Sequence, residues 1–265
     1  MVTQAFDRRR PRVYDGGGPT PDPSRNAHLS TASLELSIVV PVRDEAGNVA
    51  RLTAEIHAAL KGIGSYEIIF VDDGSTDATP AELASFSDAR IRVITHTKSC
   101  GQSQATITGV AAAQGAWIAT LDGDGQNDPA DLPRLLDARD MAGADASHTL
   151  FIGRRDSLPR LIASRIANSV RGAVLRDSTP DSGCGMKMLA RELFLVLPRF
   201  DALHRFMPAL VLRAGGRVLS VPIAHRKRMR GSSKYSIWRR GLVGVVDMLG
   251  VFWLMRRNTR PTIKS

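Results

Sequence analysis

Short apolar runs alternate along this chain with stretches in which apolar residues recur three or four positions apart. Residues 36–40 (LSIVV) form the first run, and Pro41 is expected to end it because proline donates nothing to a ladder. Val49, Leu52, Ile56, Ala59 and Leu60 then fall at helical spacing, with Asn48 placed to cap the helix. A second run at 68–71 breaks at Asp72, Asp73, Gly74, Ser75, Thr76 and Asp77; Thr76 or Asp77 is expected to cap a helix carrying Leu83 and Phe86. Residues 91–94 and 117–121 read as a third and a fourth strand, with a loop entering a helix at 101–110 between them. Residues 131–137 fit a helix that buries Leu132, Leu135 and Leu136. Strand alternating with helix predicts an α/β protein: a parallel, Rossmann-like sheet with helices on both faces.

The second half is less regular. Residues 151–176 carry Arg154, Arg155, Arg160, Arg165, Arg171 and Arg176, and Leu161, Ile162, Ile166, Val170 and Val174 supply an apolar face. That spacing predicts an amphipathic basic helix, either a solvated face or a surface that receives an anionic group. A flexible turn at 181–185, a packed pattern at 187–189 and 193–197, a last strand at 218–223 and a basic loop at 226–234 follow. Residues 1–33, rich in Pro and Gly with an Arg8–Arg10 run, read as a disordered tail. Residues 241–255 are apolar apart from Asp247, too short for a ~30 Å hydrocarbon core, which needs about 20 residues. Leu242, Val245, Val246, Leu249, Phe252 and Trp253 fall on one helical face. Arg239, Arg240, Arg256 and Arg257 flank it, and Trp238 and Trp253 can anchor it, so a helix lying in a membrane interface is expected. Its competitor is a helix packed on the body of the protein. The expected organisation is therefore a tail at 1–33, one catalytic-sized domain at 34–235 and a basic amphipathic segment at 236–265.

Charge sharpens that division. Residues 226–265 hold eleven Lys and Arg against one acid, Asp247, a surplus equal to the whole net charge of +10. Such a pole favours an anionic partner: nucleotide phosphates, an anionic membrane or nucleic acid. Nucleic acid fits poorly, because the charge sits at one pole and aromatic residues make up only 5% of the chain. Cys100 and Cys184 are too few for a disulfide framework, so a reducing compartment is expected. No signal peptide and no membrane-spanning run are expected.

Three strand ends carry the candidate chemistry. The runs end at Pro41, Arg43, Asp44 and Glu45; at 72–77; and at LDGDGQND (residues 121–128). In a parallel sheet these ends share the carboxyl edge, where open α/β sheets bind ligands. Helix capping explains each cluster singly but three acid-bearing ends less well. Asp122 and Asp124, separated only by Gly123, can aim two carboxylates into one small space. Their repulsion calls for a divalent cation, and hard oxygen ligands suit Mg²⁺ or Mn²⁺ shared with substrate phosphates.

The strings VVPVRDE (39–45), VDDGSTD (71–77), LDGDGQNDP (121–129) and RMRGSSKY (228–235) together resemble family 2 glycosyltransferases of the GT-A fold. The nearest subgroup is the polyprenyl-phosphate glycosyl synthases, typified by dolichol-phosphate mannose synthase. The resemblance implies inverting transfer of one sugar from a nucleotide-diphosphate sugar, GDP-mannose or a UDP-hexose or hexuronic acid, to a membrane polyprenyl phosphate. By similarity, Pro41, Arg43, Glu45, Val71 and Asp73 hold base and ribose. Asp122, Gly123 and Asp124 face the donor diphosphate, and Asp122, Asp124 and Gln126 hold the metal. Arg228 and Lys234 close over the donor phosphates, and Arg154, Arg155, Ser164 and Arg165 take the acceptor phosphate. Asp124, Arg165, Arg228 and Lys234 are the expected catalytic residues. Arg43 stands where the family often has an aromatic residue, which implies guanidinium stacking on the base. DSGCGMK (181–187) and HRFMPAL (204–210) resemble a bacterial branch that serves cell-envelope lipids. Such an enzyme is expected at the cytoplasmic face of the cell membrane as a peripheral protein. The alternative is a family 2 transferase with a soluble glycan or protein acceptor.

Overall fold

The computed structural model describes residues 12–15, 34–155, 182–224 and 237–257, together with Gly172, Leu175, Thr179 and Arg226. Eight strands form one sheet: β1 (Arg12–Asp15), β2 (Leu36–Val42), β3 (Tyr66–Asp72), β4 (Ile91–Thr95), β5 (Trp117–Thr120), β6 (Thr149–Arg155), β7 (Lys187–Ala190) and β8 (Arg217–Ile223). Their order is β1-β8-β6-β7-β5-β2-β3-β4. The helices are α1 (Val49–Ala59), α2 (Thr79–Ala84), α3 (Gln102–Ala112), α4 (Leu132–Ala142), α5 (Arg191–Leu195), α6 (Leu203–Arg213) and α7 (Ile237–Arg256).

The expected parallel sheet is present in β2 to β5, but the whole sheet is mixed. β7 runs antiparallel between β5 and β6, and β1 runs antiparallel to β8. Because β7 reverses direction twice over, β6 is again parallel to β5 and delivers its carboxyl end to the same edge. Two expectations change here. Arg12–Asp15, read as part of a tail, pairs with Ser220, Leu219, Val218 and Arg217 along the edge of the sheet. Residues 151–155, read as the start of a basic helix, belong to β6, whose apolar run is buried between two neighbouring strands. The rest of that expected helix lies outside the described residues, apart from Gly172 and Leu175.

β2 runs through Pro41 to Val42 instead of stopping. The Val39 carbonyl accepts from Leu121 N and the Val42 carbonyl from Asp73 N, so alternate residues face β5 and β3. Pro41 faces the β5 side, where the ladder has already ended at Thr120. Its missing N–H therefore breaks no bond, and pairing with β3 continues through Pro41 opposite Val71.

The core sits on both faces of the central strands: Ile38, Val39, Val40, Ile68, Ile69, Phe70 and Val71 have no exposed surface. Burying each such side chain contributes about 1.5–3 kcal/mol. α3 lies so close to β2 and β3 that a Cβ at Gly109 would meet Val39 Cγ1 at 2.4 Å. α4 covers the other face, where Arg139 stacks 5.5 Å from the Trp117 ring and pairs with Glu35 at 2.8 Å. Leu132, Leu135 and Leu136 are buried as expected. α7 packs one face on the body, burying Val251, and Arg213 of α6 donates to the carbonyls of Leu254 and Arg257. Val245, Val246, Leu249 and Trp253 on its other face are exposed. No helix among the described residues is long and apolar enough to cross a membrane.

Candidate active site

The three acid-bearing strand ends meet at the carboxyl edge of β2, β3 and β5. At the end of β2, Asp44 adopts φ 53, unusual outside glycine. Its N–H donates to Ser75 Oγ at 2.9 Å and its Oδ1 accepts from Thr76 N at 2.8 Å, so the β3 loop holds the turn. Glu45 N donates to Thr79 Oγ1, and Glu45 Oε2 accepts from Asn48 Nδ2 at 2.7 Å. Asn48 thus orients Glu45 and makes no side-chain cap on α1. The N-cap position of α2 falls to Ala78, with no side-chain cap, instead of the expected Thr76 or Asp77; Asp77 accepts from Thr79 N at 2.9 Å one residue earlier.

Asp73 is buried, and its carboxylate is fully occupied. His96 Nδ1 lies 2.8 Å and Cys100 N 2.7 Å from Oδ1; Ser99 Oγ lies 2.7 Å and Gly101 N 2.8 Å from Oδ2. Burial works against ionisation. The Cys100 N–H, His96, Ser99 and the Gly101 N–H outweigh it and hold the carboxyl below its ordinary value. Four donors fill the acceptor capacity of a carboxylate. The direct bond to base or ribose implied for Asp73 is therefore taken up by the protein, and Asp73 fastens the 96–101 loop instead. Arg43 is exposed and donates to Ser99 Oγ at 2.8 Å, which extends this network to the surface. The Val71 side chain is wholly buried beneath α3, so it supports the site from below instead of lining it.

Atoms of Asp73, His96 and Cys100 also lie within 4.8 Å of one another. That sulfur–nitrogen–oxygen set suits zinc more than magnesium. However, both His96 nitrogens and both Asp73 oxygens already have protein partners.

The end of β5 is braced differently. Gln102 Nε2 donates to Asp122 Oδ1 at 2.7 Å, and Asn127 Nδ2 lies 3.3 Å from Oδ2. Gly123 packs under Val42, where a Cβ would stand 2.6 Å from Cγ1. Asp124 Oδ1 accepts from Gln126 N at 3.1 Å, and Gly125 takes φ 71 to turn the loop back. The turn before β7 closes against Asp122: Thr120 Oγ1 donates to the Gly185 carbonyl at 2.7 Å, and the buried Lys187 donates to the Cys184 carbonyl. Carboxylate and amide oxygens of Asp122, Asp124 and Gln126 on one short loop fit a hard divalent cation such as Mg²⁺ or Mn²⁺.

Behind this loop, the half-buried His204 at the start of α6 meets Ser103 of α3. Ser103 Oγ accepts from His204 N at 3.2 Å and lies 2.7 Å from Nδ1, so both the backbone and the ring of His204 are tied to α3. Burial first, then the charges of Lys187 and Arg205, push the imidazole down to about 3. Of the residues expected at the acceptor phosphate, Arg154 at the end of β6 is buried, while the side chain of Arg155 and residues Ser164 and Arg165 lie outside the described residues, as do Arg228 and Lys234, expected at the donor phosphates. Gln102, Asn127, Gly185 and His204 are the supporting residues that sequence reasoning missed; the only signal was their place in polar or glycine-bearing stretches beside recognised motifs.

A mixed sheet of this order, with its acidic carboxyl edge, has the GT-A-like fold. Residues 37–197 match the family described as Glycosyl transferase family 2, and the chain belongs to that family. It is 33% identical over 249 residues to the dodecaprenyl-phosphate galacturonate synthase of Rhizobium johnstonii, covering 91% of this chain and 73% of that protein. It is 31% identical to the undecaprenyl-phosphate 4-deoxy-4-formamido-L-arabinose transferase of Edwardsiella ictaluri, over 77% of this chain and 64% of that one. Among solved structures, mannosyl-3-phosphoglycerate synthase from Rubrobacter xylanophilus shares the fold with a TM-score of 0.66 at 19% identity, covering 86% of this chain and 77% of that one. Glucosyl-3-phosphoglycerate synthase from Mycobacterium tuberculosis, crystallised with Mn²⁺, UDP-glucose and phosphoglyceric acid, gives 0.58 at 18%, covering 82% and 80%.

Proposed function

We propose that this glycosyltransferase moves one sugar from a nucleotide-diphosphate sugar to the phosphate of a membrane polyprenol, with inversion at the anomeric carbon. The observation that carries the reading is the braced Asp122–Asp124 loop at the shared strand edge, in a chain similar along 91% of its length to a dodecaprenyl-phosphate sugar synthase. The galacturonate of that relative favours a hexuronic acid among the expected donors.

A phosphate monoester is an anionic nucleophile at neutral pH, so no general base is required. An acceptor oxygen forms the new bond to C1 as the bond from C1 to the diphosphate breaks, and the nucleoside diphosphate leaves. Asp122, Asp124 and Gln126 would hold Mg²⁺ or Mn²⁺, which when bound neutralises charge developing on the leaving diphosphate. Arg43 and the loop fastened by Asp73 form the wall for the base, and Glu45 offers an acceptor to the ribose. Pro41 shapes the floor beside Gly123. Arg154, with Arg155, Ser164 and Arg165, receives the acceptor phosphate; Arg228 and Lys234 supply charge to the donor phosphates. The exposed apolar face of α7, ended by Arg256 and Arg257, brings the enzyme to an anionic membrane surface as a peripheral protein on the cytoplasmic side.

The test is a product mass. Purified protein is mixed with UDP-galacturonic acid, UDP-glucose or GDP-mannose, Mn²⁺ or Mg²⁺, and a polyprenyl phosphate. One sugar added to the lipid phosphate is expected, and it disappears with EDTA and in Asp124→Ala. Sugar appearing only on a soluble glycan or protein would replace this acceptor class with the alternative.

A further inference from the structure

Arg226 occupies a junction that no motif marks. Its Nη1 pairs with Glu55 Oε2 of α1 at 2.8 Å, and its Nη2 pairs with Asp128 Oδ2 at 2.7 Å. Its backbone N–H donates to the Gln126 carbonyl at 3.3 Å. The neighbouring Ala224 N–H donates to Asp131 Oδ2 at 2.7 Å. The exit of β8 is thus fastened at several points to the segment that follows the paired aspartates. β8 and β5 are not neighbours: β6 and β7 lie between them. At about 4.8 Å per strand this contact bridges the edge of the sheet over roughly 14 Å.

Both carboxylates that hold Arg226 are themselves held. Glu55 Oε1 accepts from Arg51 Nε at 2.8 Å, and Asp128 Oδ1 accepts from Ala130 N at 3.0 Å. Arg226 is about one-third exposed and Asp128 less so, which limits solvent screening. A guanidinium reaching two carboxylates on separate elements has a fixed direction that a single surface pair lacks. The front of the same loop is braced by Gln102, Asn127 and Gly185 around Asp122; Arg226 braces its back, at Gln126 and Asp128.

We propose that Arg226 is a positioning residue: it clasps the 124–128 loop to α1 and to the exit of β8. The clasp sets the arrangement in which Asp124 and Gln126 receive the divalent ion. The proposal rests on the metal reading above.

Binding of Mn²⁺ in the presence of UDP, followed by electron paramagnetic resonance without acceptor or turnover, separates the two. Arg226→Ala is expected to weaken Mn²⁺ binding about tenfold, the loss typical of a charge-assisted hydrogen bond. Arg226→Lys, which keeps the charge and loses the fork, falls between. Asp128→Asn keeps the acceptor for Ala130 N and removes the charge, so it tests the clasp should Arg226→Ala fail to fold. The double variant Arg226→Ala/Asp128→Asn is expected to bind no more weakly than the weaker single variant. Unchanged Mn²⁺ affinity in a folded Arg226→Ala or in Asp128→Asn, or additive losses in the double variant, would overturn the clasp. Wild-type protein that binds no Mn²⁺ would instead overturn the metal reading itself.

Discussion

Gly185 and Asp122 compete for the same space. A Cβ built on residue 185 would stand 2.1 Å from Asp122 Oδ2 and 2.2 Å from its carboxyl carbon. The turn cannot back away, because Thr120 and Lys187 hold the carbonyls of Gly185 and Cys184. The aspartate cannot swing freely either, since Gln102 and Asn127 hold its two oxygens. The direction of the Asp122 carboxylate is thus set by a glycine sixty-odd residues later in the chain, in the turn that enters the strand running against β5.

Gly185→Ala should therefore displace the Asp122 carboxylate. Overpacking of this kind costs about 1–3 kcal/mol, which corresponds to roughly ten- to hundredfold in rate if it falls on the site. Transfer activity and Mn²⁺ affinity should drop together while the melting temperature falls by a few degrees at most. A variant with wild-type Mn²⁺ affinity would show that the loop absorbs the methyl group.

Asp73 offers a test of donor binding that does not involve the metal. Asp73→Ala leaves four donors without their acceptor and frees the 96–101 loop. Each lost bond to a charged acceptor costs about 1.5–3 kcal/mol, partly recovered by water, so UDP or GDP affinity is expected to fall about one to two decades. Calorimetry with unchanged affinity would reject the role. The carboxyl is held below its ordinary value, so its contribution to stability is complete above the unfolded value near 3.9 and is lost as pH falls through the lower folded one.

His204 predicts an acid-sensitive fold at milder pH. The imidazole is near 3 in the folded protein and about 6.5 in the unfolded chain, so between those values the unfolded state binds the extra proton. Stability is expected to be full above pH 6.5 and to fall with decreasing pH, by up to about 1.4 kcal/mol per unit. His204→Asn should flatten this limb of the stability curve, measured by urea unfolding between pH 7 and pH 4, about the window the shift defines. An identical slope in both proteins would mean that the ring is not what titrates.

The two faces of α7 separate membrane contact from folding. Val246→Glu with Leu249→Glu alters only exposed positions and should change stability by about 0.5 kcal/mol or less per site. It should abolish sedimentation with anionic liposomes, since each inserted aliphatic side chain contributes about 1.5–3 kcal/mol. Activity should fall more on long-chain polyprenyl phosphate than on a short soluble analogue. Unaltered sedimentation would move the anchor elsewhere. Removing the helix altogether is a poorer test, because Val251 and the Arg213 contacts belong to the packed body.

Local pattern alone located much of this protein. The runs at 36–40, 68–71 and 117–121 are strands whose apolar residues are buried on both faces of the sheet, and 91–94 is the half-exposed strand at its edge, so short apolar runs were legible in both settings. The acidic ends of three of them marked the candidate site, because chain order and parallel pairing alone bring those ends together. Four ordered motifs sufficed for the family. What local pattern could not carry was anything set between distant segments. The direction of β7 and the pairing of β1 depend on which partner a short strand meets, and its own periodicity is the same either way. Asp73 reads as a ligand-facing acid, yet four donors from residues 96–101 converge on it only after α3 has packed on β2 and β3. Glycine at 185 reads as flexibility, whereas in the fold it is vacant space for the carboxylate of Asp122. Hydrophobic periodicity reports how a segment meets the core; a hydrogen-bond network reports how separate segments meet one another, and that meeting exists only in three dimensions.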